Sequence, residues 1–218
     1  MSYQYLLFDA DDTLFDFQKA QEKSLNEVFQ TIGLPAKAKT TYKTISHTLW
    51  QALEKGEITL HELKQQRFQK LIAHYATPYA GDIETLYEAT LASHADLLPG
   101  AKETLAALAG HYRLFLISNG MPNIQYPRLK AAQIDSYFEK IFISEEIGAQ
   151  KPSTSFFDHV FQTIDMPKEQ CLVIGDSLTS DIAGGRAYGL ATCYLNFQGH
   201  TVLWPLIVSK TTLNYYSY

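Results

Sequence analysis

The sequence predicts an α/β fold: a doubly wound parallel sheet with a helical bundle inserted after its first strand. Three observations carry this. Five short apolar runs are continuous and not alternating, as strands covered on both faces are. Helix-length segments separate the later runs, so strand and helix take turns. Residues 9–112 separate the first run from the second, far more chain than one crossover needs.

The first strand is Gln4–Phe8. Four helical patterns follow, over Gln18–Ile32, Thr41–Lys55, Thr59–Tyr75 and Asp82–Ala95, with Gly33-Leu34-Pro35, Gly56 and Pro78–Gly81 as the breaks. Leu98-Pro99-Gly100 closes the insert, which assigns residues 16–98 to a helical domain and residues 1–15 and 99–218 to the core. The sheet resumes with Arg113–Ile117 and continues through Lys140–Ile143, Cys171–Ile174 and Thr192–Leu195. The helices between are Asn123–Ile134, Ser153–Ile164 and Ser180–Tyr188. Beyond Asn196 the pattern weakens. Val202–Val208 suits a strand or a short helix, Pro205 weakens both readings, and the chain ends in Tyr215, Tyr216 and Tyr218.

Composition narrows the function. At 46% hydrophobic and 19% charged residues, the chain is not a disordered one. A net charge of −5 with no Lys/Arg-rich run argues against a nucleic-acid polymer as partner. Cys171 and Cys193 lie in apolar stretches and read as small core residues in a reducing compartment. The N-terminal residues lack the basic-then-apolar pattern of a signal peptide, and no run approaches the ~20 apolar residues of a membrane span. The expectation is a cytoplasmic protein with no membrane partner. The seven histidines show no ligand spacing, which argues against zinc.

Chemistry concentrates in four clusters, each just past a predicted strand or in the loop beyond it. Asp9-Ala10-Asp11-Asp12-Thr13 places three carboxylates within four residues, where like charges repel unless a hard cation such as Mg²⁺ compensates. Ser118-Asn119-Gly120, Lys151-Pro152 and Gly175-Asp176-x-x-x-x-Asp181 follow in order. Taken singly, each is as well read as a turn, a helix cap or a surface lysine. Together they fall where open α/β sheets bind ligands, beyond the carboxyl ends of the strands.

The set supplies what phosphoryl transfer needs. Asp9 is suited to attack phosphorus as a carboxylate, forming an aspartyl phosphate. Asp11, two residues on along an extended backbone, is suited to protonate the leaving oxygen and then deprotonate water. Asp176 would join Asp9 in holding Mg²⁺. Ser118 with Asn119, nearby backbone N–H groups and Lys151 would bind the remaining phosphoryl oxygens. Asp12 is given no catalytic role.

These residues carry a resemblance. Asp9-x-Asp11-x-Thr13, Ser118-Asn119, Lys151-Pro152 and Gly175-Asp176-x-x-x-x-Asp181 resemble the four motifs of the haloacid dehalogenase-like hydrolase superfamily, over residues 1 to about 196. The resemblance implies a Rossmann-like core with a C1-type cap, an aspartyl-phosphate intermediate and Mg²⁺. It makes the Asp11 backbone carbonyl a metal ligand beside Asp9 and Asp176, with Asp181 and Thr13 behind them, Asp181 near the metal waters or orienting Lys151.

Local segments sharpen it. Phe8–Asp16, Leu49-Trp50 through Lys55-Gly56-Glu57-Ile58-Thr59 to Arg67-Phe68, Ile143–Gly148 leading into Lys151-Pro152, and Gly175–Ile182 with Ala191-Thr192-Cys193 resemble the bacterial pyrimidine 5′-nucleotidases. That resemblance implies a house-cleaning phosphatase whose partner is a small phosphorylated metabolite, a nucleoside monophosphate. Substrate choice would lie in the insert and the loop after Asp11, with Phe15, Phe17, Trp50 and Arg67 as candidates to stack on a base or grip its carbonyls. The plainer reading makes the aromatics packing residues and Arg67 a surface charge.

Two departures stand out. Ser153 occupies a place where an acidic or amide residue is expected, and the final strand and helix usual after the position of Asn196 have no counterpart. An exposed sheet edge, lower stability or dimerisation is the expected consequence, with a monomer or weak homodimer as the assembly. Alternatives are a sugar-phosphate or phosphoglycolate phosphatase, a phospho-accepting switch of the receiver type, and an inactive binding protein. The long insert after Asp9 and the Gly175–Asp181 motif after Lys151 disfavour the switch. A haloacid dehalogenase is disfavoured because it needs no acid at Asp11, and a phosphohexomutase because Thr13 and the insert resemble phosphatases.

Overall fold

The computed structural model describes residues 3–196. Five parallel strands form one sheet in the order β3-β2-β1-β4-β5: β1 is Tyr5–Phe8, β2 Arg113–Ser118, β3 Lys140–Ile143, β4 Cys171–Gly175 and β5 Ala191–Tyr194. β1 lies at the centre, with Phe8 opposite Leu116 of β2 and Ile174 of β4. This register ends three neighbouring strands almost level. The residues that follow therefore emerge along one edge, and the Asp9 N–H still bonds the Ile174 carbonyl at 2.8 Å.

The continuous apolar runs are explained by the two faces. Leu6, Phe8, Leu114, Leu116, Leu172 and Ile174 pack on one side with α5 (Ala101–Ala109) and Leu129 of α6 (Pro122–Ala132). Leu7, Phe115, Ile117 and Val173 pack on the other with Phe156, Phe157 and Val160 of α8 (Thr154–Thr163). Successive side chains alternate between faces, and both faces are buried. A short helix, α7 (Ser144–Ile147), leads out of β3.

Four helices join β1 to β2 ahead of α5: α1 (Phe17–Ile32), α2 (Ala38–Glu54), α3 (Leu60–Tyr75) and α4 (Ile83–Ala92). They share a separate apolar cluster built on Leu25, Phe29, Tyr42, Phe68 and Tyr87, which also takes in Met121 and Ile124 at the start of α6. Local signals set their ends. Asp16 caps α1 through Lys19 N–H, Thr59 and Glu62 form a reciprocal capping box on α3, and Asp82 caps α4 through Thr85 N–H. Gly33 closes α1 at φ 76°, a left-handed conformation that glycine enters freely.

Some boundaries differ from the sequence reading. α4 stops at Ala92, not Ala95, because the chain beyond it runs antiparallel to the connector after β1. Asp16 N–H bonds the Asp96 carbonyl at 2.9 Å, and Leu98 N–H bonds the Leu14 carbonyl at 2.8 Å. α5 has no counterpart in the sequence reading, since AKETLAALA is short and rich in alanine. The single helix expected over Ser180–Tyr188 is a π-helical turn, Leu178–Ile182, followed by α9 (Ala183–Ala187). Such wide turns often accompany functional sites.

β5 is an outer strand of the described sheet, with Tyr194 exposed. The segments read over 202–208 and at the aromatic end lie outside the described residues. No helix among the described residues is long and apolar enough to cross a membrane.

Candidate active site

All four clusters meet at the carboxyl edge of the sheet. Lys151 is their centre: it is 1% exposed, and its ammonium donates to Asp9 Oδ1 at 2.8 Å, Asp181 Oδ1 at 2.7 Å and the Ile117 carbonyl at 2.7 Å. Three protons thus meet three acceptors. Burial works against the Lys151 charge, but Asp181 and Asp9 outweigh it and hold the ammonium above its ordinary range. The Lys151 backbone is fixed by Asn119, whose amide accepts from Lys151 N–H at 2.9 Å and donates to its carbonyl at 2.8 Å.

Asp181 reaches Lys151 because the π-helical turn directs it inward. Its Oδ2 also accepts from Ser177 N–H at 3.1 Å. Gly175 makes the room: a Cβ there would collide with the Asp181 carboxylate.

One lysine does not balance the acids here. Asp9, Asp176 and Asp181 can each bring a carboxylate oxygen within 4.8 Å of the others. Burial first, then Asp181 and Asp176, raise the Asp9 carboxyl well above its usual range despite Lys151. Burial, then Asp181 and Asp12, push Asp176 up to about 7. Three hard oxygen donors with surplus negative charge fit a divalent cation such as Mg²⁺.

The Asp11 carboxylate stands outside that cluster. Oδ1 accepts from Arg128 Nη1 at 2.5 Å and Oδ2 from Gln125 Nε2 at 2.6 Å. Gln125 also donates to Ser118 Oγ at 3.1 Å, and Gly120 N–H donates to the same oxygen at 3.0 Å. Asp12 turns away from the site. At φ 57° its carboxylate accepts from the N–H groups of Phe17 and Gln18 and from the Gln18 side chain, so it holds the start of α1.

A cavity of about 300 Å³ opens over this edge. Asp9, Asp11, Ser118, Asn119, Lys151, Asp176 and Asp181 line one side, and Phe17, Gln21, Ser46, Trp50 and Arg67 of the inserted helices line the other. Of the specificity candidates, Phe17, Trp50 and Arg67 line this cavity.

Other expectations are corrected. Phe15 is fully buried beneath the Arg128 guanidinium, 4.2 Å from its ring centre, and takes no part in the cavity wall. Arg67 is not a surface charge: it is 3% exposed, lies over the Tyr87 ring, and closes Nε and Nη2 on Glu84. Thr13 is buried with a hydroxyl that has no partner among the described residues, so no bond links it to the site acids. Asn119 lines the cavity, and its amide, which holds the Lys151 backbone at both ends, keeps a second N–H.

Four residues escaped the sequence reading: Gln21, Ser46, Gln125 and Arg128. Each is a buried polar residue on a helix. The available signal was position. Gln21 stands in helical register with Leu25, Val28 and Phe29, and Arg128 beside Leu129, where apolar residues are expected.

Comparison with known proteins gives the family. Residues 3–189 match the family model described as haloacid dehalogenase-like hydrolase. The HAD-hydrolase YfnB of Bacillus subtilis (strain 168) is 39% identical over 89% of this chain and 84% of its own length. The pyrimidine 5′-nucleotidase PynA of Streptococcus pneumoniae is 35% identical over 100% and 93%. The pyrimidine 5′-nucleotidase YjjG of Escherichia coli (strain K12) is 32% identical over 90% and 87%. A crystal structure of YfnB bound to magnesium superposes with a TM-score of 0.85 at 38% identity, covering 90% of both chains. With its motifs gathered at one sheet edge and nearly its whole length matched, the chain belongs to the haloacid dehalogenase-like hydrolases.

Proposed function

We propose that the chain is an Mg²⁺-dependent phosphomonoester hydrolase working through an aspartyl phosphate on Asp9, with pyrimidine nucleoside monophosphates as substrates. The observation that carries the reading is the buried Asp9–Lys151–Asp181 array lining a cavity whose opposite wall carries the rings of Phe17 and Trp50. The names of PynA and YjjG support the nucleotide class. We assign residues 1–15 and 99–218 to the catalytic core and residues 16–98 to a helical cap that selects the substrate, in a cytoplasmic monomer or weak homodimer.

In this reading Lys151 orients the Asp9 carboxylate and shares its charge with the incoming phosphoryl oxygens. Ser118 Oγ already accepts two hydrogen bonds, which leaves its O–H to donate to a phosphoryl oxygen. Asp9 attacks phosphorus while Asp11 gives a proton to the leaving 5′-oxygen, and Asp11 then takes one from the water that cleaves the acyl phosphate. Asp9, Asp176 and the Asp11 carbonyl would hold Mg²⁺, with Asp181 behind them. The bound cation supplies charge neutralisation at the phosphoryl group. Phe17 and Trp50 offer faces for a base, and Gln21 and Ser46 offer buried hydrogen-bonding groups.

The test is a phosphate-release screen with Mg²⁺ over UMP, dUMP, dTMP, ribose 5-phosphate and phosphoglycolate. The reading expects the nucleotides to lead and Asp9→Asn to abolish release. No release from any ester removes the enzyme reading, and a clear lead for the sugar phosphate or phosphoglycolate removes the nucleotide assignment.

A further inference from the structure

We infer that Gln125 and Arg128 form a positioning device for the Asp11 carboxylate and are determinants of turnover in their own right. The inference rests on the proposed role of Asp11. The two residues lie three apart on α6 and so share one helix face. Both side chains are fully buried, and between them they occupy both Asp11 oxygens, Arg128 on Oδ1 and Gln125 on Oδ2. Gln125 Oε1 in turn accepts from Arg128 Nη1 at 3.2 Å, so the pair is internally braced.

The device is anchored on both links between the sheet and the inserted helices. Arg128 Nε donates at 3.0 Å to the carbonyl of His94 in the connector after α4, and its guanidinium lies on Phe15 in the connector after β1. Gln125 bridges Asp11 to Ser118 and packs on Gly120, where a Cβ would collide with its amide. The orientation of Asp11 is thereby tied to the serine expected to hold phosphate and to both links with the inserted helices.

Stability is a poor explanation for this arrangement. Buried ion pairs contribute little net stability over apolar packing, and Arg128 Nη2 is buried without a partner among the described residues, which costs more. A guanidinium facing a carboxylate that lines the cavity is better explained by what the carboxylate must do there.

The test is a double-substitution cycle. Wild type, Arg128→Met, Asp11→Asn and the double variant are assayed for phosphate release from UMP and p-nitrophenyl phosphate with Mg²⁺. Misplacing a reacting group by about an ångström costs roughly 100-fold, so Arg128→Met should lower kcat by about that factor with KM little changed. In the Asp11→Asn background the same substitution should cost no more than about twofold. Arg128→Lys should recover part of the loss. If Arg128→Met does not fold, Gln125→Leu carries the same cycle through Oδ2.

Equal losses in both backgrounds, or wild-type kcat in Arg128→Met, overturn the inference. A wild type inert on both esters removes the proposed function and this inference together. A wild type that releases phosphate while the substitutions act additively removes this inference alone.

Discussion

Lys151 and Asp181 meet 2.7 Å apart with each side chain 1% exposed, on elements separated by β4 and drawn together only by the fold. The contact sets the electrostatics of the edge. Lys151 is shared between Asp181 and Asp9, and the Asp181 charge still raises the carboxyls of Asp9 and Asp176.

Removing the lysine leaves those acids buried without a counter-charge. Lys151→Met should lower stability by about 3–5 kcal/mol, the cost of breaking a buried pair on one side, and abolish phosphate release. Denaturant unfolding measures the first effect. A midpoint unchanged from wild type would show that the array is not under this strain.

Asp176 predicts the pH dependence of the metal-free chain. Its folded carboxyl sits at about 7 against an ordinary 3.8, so the native state holds this proton more tightly than the unfolded state does. Stability from this group is therefore lost as pH rises through that window. Asp176→Asn should match wild type near about pH 3 and exceed it by a growing margin up to about pH 8 when metal is chelated. Mg²⁺ should stabilise wild type most at the higher pH and the variant little. Thermal unfolding across pH, with and without Mg²⁺, gives the comparison, and an identical slope for the two chains would contradict it.

Asp12 separates architecture from chemistry. Its carboxylate serves backbone N–H groups at the start of α1, so Asp12→Ala should cost about 1 kcal/mol of stability, as lost caps do. Phosphate release per folded molecule should persist. Loss comparable to that of Asp11→Asn would return Asp12 to the catalytic set.

Gln21 tests base recognition. It is 7% exposed and lines the cavity. Gln21→Leu should lower kcat/KM for UMP by about tenfold or more, the effect of losing a buried hydrogen-bonding group, while release from ribose 5-phosphate stays level. Equal losses on both esters would place Gln21 outside base selection.

The sheet and the four motif clusters were legible because strands covered on both faces leave unbroken apolar runs, and Asp9, Ser118 and Asp176 mark where those runs stop. Lys151 was legible only through its place in the series, since one lysine carries no mark of burial. Phe15 was misread for a physical reason. An aromatic ring has a type in the sequence, but its direction is set by neighbours far along the chain, here Arg128. Gln125 and Arg128 were missed because polar residues on a weakly amphipathic helix read as solvated until Asp11 is seen opposite them.

The central claim is that Asp9 carries the phosphoryl group. Rapid acid quench of the Mg²⁺-loaded enzyme with UMP bearing a radiolabelled phosphate, followed by peptide mapping, tests it directly. Label should appear on the peptide containing Asp9 and be absent in Asp9→Asn. Label on another residue, or an Asp9→Asn chain that releases phosphate at the wild-type rate, would contradict the account.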